Sequence, residues 1–200
     1  MLVLLAVMAE QSADARKSLP PARCEELLAG IAQGDADAFA QLYRATDRML
    51  YAYALSLTRS HHNAQDVMME TYLKIRAGAH LYRPMGKPLA WIFTIARNIA
   101  HSGQRTAAQE APMEELPESA SDDSGRREDA LVLQEALHIL SAEERQIVVL
   151  HAVSGLRHRE LAEILKLPLS TVLSKYARAL NKLKRHLTTQ LREEEQLCGK

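Results

Sequence analysis

The chain has 200 residues, of which 47% are hydrophobic and 25% charged, enough for one or two globular domains with a real core. Only 4% are aromatic and 8 are glycine, and long alanine- and leucine-rich periodic segments favour an all-α fold. The formal net charge is zero and the two cysteines, Cys24 and Cys198, form no CxxC pair, so a disulfide framework and a cysteine zinc site are excluded and a reducing cytoplasm fits.

The opening MLVLLAVMA is apolar, but it lacks a positive leader and a cleavage site and is too short to span a bilayer. Met1 and Met8 are both compatible starts of translation, and residues 1–21 read as a flexible tail. The spacing predicts a first helix from Ala22 to Gln33, ended by Gly34 in the left-handed position. Asp35 or Asp37 caps the second, whose Phe39, Leu42, Tyr43, Thr46, Met49, Leu50, Tyr53, Ala54 and Leu57 keep a three-four spacing. After a turn at Ser60–Asn63, a third helix runs to about Ala77 and stops at Gly78. His80–Pro88 is a loop with two prolines and a glycine, and Pro88 suits the first turn of a fourth helix packed through Leu89, Ile92, Phe93, Ala96 and Ile99. That helix leaves Arg97, Asn98, His101 and Arg105 outward, and Gly103 weakens its last turn.

Residues 107–125, rich in Ala, Glu, Pro, Ser and Asp, carry too little apolar surface to offset their ordering and read as a flexible linker. A helix from Arg126 to about Ile139 opens a second domain. Ser141-Ala-Glu-Glu144 is a capping-box pattern ahead of the apolar run Ile147–Leu150, and Gly155 ends that helix. Arg157–Leu165 places Leu161, Ile164 and Leu165 on one face, and Pro168 disfavours helix at Leu167. Ser170 is read as the N-cap of a last helix that packs through Val172, Leu173, Tyr176, Leu180 and Leu183. Its Ser174, Lys175, Arg178, Asn181, Lys182 and Arg185 face outward. Two short helices, a tight turn and a basic second helix are the sequence form of a helix-turn-helix; the plainer alternative is a surface hairpin with solvated lysines. Residues 193–200 read as a frayed acidic tail.

Charge distribution says more than net charge. No Asp or Glu occurs from Thr71 to Gln109, which holds Lys74, Arg76, Arg83, Lys87, Arg97 and Arg105. None occurs from Ile164 to Arg192, which holds Lys166, Lys175, Arg178, Lys182, Lys184, Arg185 and Arg192. Acids collect between the two, at Glu110, Glu114, Glu115, Glu118, Asp122 and Asp123. Two basic surfaces separated by an acidic connector point to a polyanionic partner.

Three segments in order, Asp66-Val-Met-Met-Glu70-Thr71-Tyr72-Leu73-Lys74, Trp91-Ile-Phe-Thr-Ile-Ala-Arg97-Asn98 and the helix-turn-helix, resemble an extracytoplasmic-function (ECF) sigma factor of bacterial RNA polymerase. The resemblance covers the chain from about Ala22 to Leu191. It implies two small helical domains, a region-2-like bundle at 22–106 and a region-4-like helix-turn-helix at 126–192, joined by the acidic linker. It implies docking on a coiled coil of the polymerase's largest subunit through Asp66, Met69, Glu70 and Tyr72. It assigns the minus-ten element, with a base flipped from the melted strand, to His80, Tyr82, Arg83, Lys87, Trp91, Arg97, Asn98 and Arg105. It assigns the minus-thirty-five duplex to Arg157, Ser170, Thr171, Ser174, Lys175, Arg178, Lys182 and Arg185, with Lys182, Lys184 and Arg185 holding phosphates. Core polymerase, promoter DNA and an anti-sigma factor are the implied partners of a cytoplasmic protein that is monomeric when free. No cofactor, metal, catalytic residue or membrane insertion is implied. The chain departs from the family at Met69 (usually Gln), Arg76 (usually Trp), Ser102 and Gly103 (usually Asp and an aromatic) and Leu173 (commonly Arg), so promoter sequence does not transfer from relatives.

Other readings compete. His62, Asp66 and Glu70 at four-residue steps, with His61 beside them, share a helix face as metal ligands would, but no second ligand set converges on them and a solvated docking face accounts for them. His151 and His158 read as packing or capping residues. No phosphate loop or nucleophile motif is present, so an enzyme is not indicated. The functional alternative is a regulator that binds duplex DNA through the helix-turn-helix, with the first domain as a sensing or dimerising module. A paralogue that binds polymerase without melting DNA is the third, kept open by Arg76, Ser102 and Gly103.

Overall fold

A computed structural model describes residues 19–107 and 138–198. Residues 1–18 and 108–137 fall outside the described residues; the latter hold the expected linker and most of the helix expected to follow it. The described α-helices are α1 (Pro21–Ala32), α2 (Ala36–Thr58), α3 (His61–Gly78), α4 (Pro88–Ala107), α5 (Ala142–Ser154), α6 (His158–Leu165) and α7 (Leu169–Cys198), with a 3-10 turn at Ala79–Leu81. The chain is all-α over the described residues.

Local chemistry sets the boundaries. Pro21 stands at the first position of α1, where its missing N–H costs nothing. The Asp35 carboxylate accepts from the amides of Asp37 and Ala38 at 2.8 and 3.1 Å and caps α2. Ser60 caps α3 by accepting from the Asn63 amide. Ser141 and Glu144 form the expected capping box on α5, which ends at Gly155 with φ 63°. Lys166 takes the left-handed position after α6 with φ 55°, and the Leu167 amide returns to the Ala162 carbonyl at 3.0 Å, closing the tight turn of the helix-turn-helix. The last helix begins at Leu169 rather than at a Ser170 cap. The Val172 amide bonds the Pro168 carbonyl at 3.1 Å, because proline's fixed φ already sets the entry and leaves Ser170 inside the first turn. Instead of fraying at 193, α7 continues to Cys198.

α1 to α4 form a bundle whose buried stripe on α2 runs through Ala38, Leu42, Thr46, Leu50, Tyr53, Ala54 and Leu57. α1 crosses α2 closely at Gly30, where an added Cβ would sit 2.9 Å from the Ala38 Cβ. Tyr53 meets Phe93 of α4 edge-on at 5.3 Å. Thr46 and Thr71 are buried polar residues satisfied by their own helices, bonding the carbonyls of Leu42 and Val67 at 2.7 and 2.6 Å. The second half does not stand apart. Ile147, Leu150, Leu156, Leu161, Ile164, Leu165 and Val172 join the same apolar cluster as α1 to α4, with α5 against α2 and α6 against α4. A smaller cluster of Leu140, Val148, Ala179 and Leu183 ties α5 to α7.

Candidate nucleic-acid interface

Four residues at the i, i+3, i+4, i+7 positions of α3, namely Asp66, Met69, Glu70 and Leu73, point away from the bundle. Met69 and Leu73 are 54% and 62% exposed, large apolar side chains that alternate with the two carboxylates along the stripe. Glu70 pairs with Lys74 at 3.0 Å and Asp66 faces His62 at 3.6 Å, both exposed and worth little to stability. No group of three or more His, Cys, Asp or Glu among the described residues is arranged to hold a metal ion. Tyr72 sits elsewhere. It is buried between α2 and α3, its ring 4.8 Å from Tyr43 and its hydroxyl 2.8 Å from that of Thr46. Leu73 is the outward residue that the sequence reasoning passed over; its signal was its place on the Asp66–Glu70 face.

The 3-10 turn presents His80 and Leu81 to solvent, and the loop between it and α4 presents Arg83, Pro84 and Met85. Tyr82 is half-buried, its ring 5.3 Å from that of Trp91 at the start of α4. Along α4, Arg97, Asn98, His101 and Ser102 line an open depression of about 250 Å³. Partial burial, with Arg97 nearby, holds the His101 imidazole below its usual range. The side chain of Arg105 lies outside what the structure describes. Two of the expected cations are occupied by the other half of the chain: Lys87 pairs with Glu163 of α6 at 2.7 Å, and Arg97 donates to the Leu165 carbonyl at 3.4 Å.

On α7, Ser170, Leu173, Ser174, Ala177, Arg178, Asn181, Lys184 and Arg185 form one continuous exposed stripe at helical spacing. Leu173, expected to pack, is instead 47% exposed. Lys175 and Lys182 turn back to the N-terminus of α5, each 2.7 Å from a carboxylate, of Glu143 and Glu144 respectively. Glu144 also accepts the Ser141 amide at 3.0 Å. Burial opposes its charge, but Lys182 and Ser141 outweigh that and hold the carboxyl below its ordinary value. Thr171 is half-buried, and Arg157 is exposed just ahead of α6 with its amide on Glu160. Behind the stripe, His151, His158 and Tyr176 cluster, the two imidazoles tilted 4.7 Å apart with Tyr176 edge-on to both, and His151 bonded to the Leu156 carbonyl at 2.9 Å. They are packing residues behind the turn.

Residues 42–109 match the family Sigma-70 region 2, and residues 130–183 match Sigma-70, region 4. The chain is 32% identical over 164 residues to ECF RNA polymerase sigma factor SigM of Mycobacterium tuberculosis, covering 81% of this chain and 83% of that one. Among solved structures it is similar to CnrH in complex with the cytosolic domain of CnrY, with a TM-score of 0.63 at 25% identity over 82% of this chain and 97% of that one. It is also similar to the sigma factor RpoE in complex with the anti-sigma factor NepR from Bartonella quintana, with a TM-score of 0.60 at 27% identity over 75% and 96% of the two chains. No helix among the described residues is long and apolar enough to cross a membrane.

Proposed function

The chain belongs to the ECF sigma factors of bacterial RNA polymerase, and from that membership we propose how its surfaces divide the work of initiation. The α3 stripe of Asp66, Met69, Glu70 and Leu73 docks core polymerase: two carboxylates alternating with two exposed apolar side chains suit a basic and apolar coiled-coil surface. Tyr72 supports that stripe from within the bundle. The 80–87 loop and the exposed face of α4 receive the minus-ten strand. Arg83, Lys87, Arg97 and Arg105 neutralise its backbone, and Tyr82 and Trp91 offer ring faces to an unstacked base. The α7 stripe enters the major groove of the minus-thirty-five duplex, with Ser174 and Arg178 toward base edges and Asn181, Lys184 and Arg185 toward phosphates. Lys175 and Lys182 join them when their links to α5 exchange for phosphate.

The observation that carries this reading is the coexistence, on one chain, of the α3 docking stripe and two basic segments that contain no Asp or Glu of their own. A duplex-binding regulator needs only the last of these. The protein does no chemistry itself, acts in the cytoplasm and is monomeric when free. The two promoter elements lie roughly 25 base pairs apart, roughly 85 Å along B-DNA. α6 packs directly on α4, so both elements are engaged only once α6 releases Lys87 and Arg97. An anti-sigma factor that holds the chain closed would silence it. Similar sigma factors have been solved with CnrY and NepR bound.

Promoter binding by the reconstituted holoenzyme tests the division of roles. Arg178→Ala is expected to weaken binding to a minus-thirty-five fragment by about 1–3 kcal/mol in a base-dependent manner. Met69→Asp is expected to abolish core binding alone. DNA binding that is equally tight without polymerase would favour the regulator.

A further inference from the structure

The exposed loop ahead of α4 is tied down by a residue on a different helix, Glu25 of α1. The Tyr82 hydroxyl donates to Glu25 Oε1 at 2.8 Å, and the Gly86 amide donates to the same oxygen at 2.8 Å. The hydrogen bonds from Tyr82, Gly86 and Met85 together hold the Glu25 carboxyl below its ordinary value, against the opposing effect of burial. One carboxylate thus closes both ends of the segment Tyr82–Gly86. Between the two anchors Arg83, Pro84 and Met85 are exposed, Met85 by 74%. Gly86 sits at φ +70°, where glycine is favoured, and its amide is turned toward α1. From Thr71 to Gln109 the chain has no carboxylate of its own, so the anchor comes from outside the segment.

We propose that Glu25 is a positioning residue for minus-ten recognition: it fixes the 82–86 loop in the conformation that presents Arg83 and Met85 to the melted strand. The inference rests on the assignment of this loop to the minus-ten element. A loop ordered before binding has less freedom to lose when the strand arrives. Glu25 meets the DNA only through the loop it holds.

The test uses the full chain assembled with core polymerase, and a fluorescent single strand carrying the minus-ten sequence that wild-type holoenzyme selects from a random pool. Glu25→Ala is expected to weaken strand binding on the order of tenfold, while core affinity, the unfolding midpoint and binding to minus-thirty-five duplex stay at wild-type values. Glu25→Gln keeps an acceptor oxygen at the same reach and should restore most of the loss. Glu25→Asp, one methylene shorter, should behave like Ala. Tyr82→Phe removes one donor without touching α1 and should give a partial loss. Wild-type strand binding by Glu25→Ala would overturn the proposal. So would a joint fall in strand binding, core affinity and stability, the mark of a mere fold staple. If wild-type holoenzyme selects no strand while still binding core, the loop assignment falls as well, and the two failures are told apart by the wild-type arm alone.

Discussion

Glu144→Ala is the perturbation whose size the structure constrains best. Glu144 is 2% exposed, accepts the Ser141 amide at 3.0 Å and receives Lys182 at 2.7 Å. Its removal leaves the Ser141 N–H without an acceptor, which costs about 1–3 kcal/mol, and breaks half of a capping box whose Ser141 hydroxyl still holds the Glu144 amide. Lys182 is 41% exposed, so solvent screens the pair and its loss adds less than about 1 kcal/mol. The sum is about 1–4 kcal/mol, which for a folded unit of this size lowers Tm by roughly 2–16 °C. Glu144→Gln keeps an acceptor at the cap and should lose about half as much. The folded carboxyl titrates below its ordinary value of 4.5, so the contribution is present above that pH and lost as pH falls through the lower folded value. The gap between wild type and Glu144→Gln should therefore shrink as pH falls below 4.5. Thermal unfolding at pH 7 reads the Tm shift, and urea unfolding at pH 7 and pH 3.5 reads the change in the gap. A Glu144→Ala shift under about 2 °C would refute the reasoning, because the cap and the pair would then be ornamental.

The other predictions rest on buried groups. Cys24 is fully buried, and burial, with Glu25 adding to it, pushes its thiol up to about 12. In a Cys198→Ser background, alkylation at pH 8 should be negligible in the native state and should rise in step with unfolding by urea. His158 is held below the usual imidazole range by burial and by His151, with Tyr176 as its other ring neighbour. The unfolded chain binds that proton more tightly, so stability should be fully present above about pH 6.5 and decline below it. His158→Phe should flatten that decline in parallel urea titrations. Leu161, fully buried between α6 and the bundle, should cost about 2–5 kcal/mol as Leu161→Ala, read by chemical denaturation.

Periodicity and capping were legible where chemistry is local. The α2 stripe, the Ser141–Glu144 box and Gly155 each depend on residues within one or two turns. The sequence left the α2 cap open between Asp35 and Asp37 and named no single cap in the Ser60–Asn63 turn, where Asp35 and Ser60 do the capping. Features set by distant partners left no local signal. Tyr72 and Leu73 are neighbours on an apolar-polar boundary, and only the closeness of Thr46 and Tyr43 decides which turns inward. Leu173 fits the packing period of its helix, yet the stripe that faces solvent passes through it. Glu25 lies 57 residues before Tyr82, and its role follows from the crossing of α1 behind the loop. The packing of α6 on α4 depends on surface fit between halves joined by a long acidic segment, which composition alone does not encode.

Run-off transcription with purified core polymerase on a promoter-fragment library, with and without the protein, tests the central claim most directly. The account predicts transcripts that appear only with the protein and start downstream of one shared two-part sequence. It also predicts that they are lost with Met69→Asp and sharply reduced with Arg178→Ala. Duplex binding by the protein alone, with no polymerase-dependent start on any fragment, would contradict it.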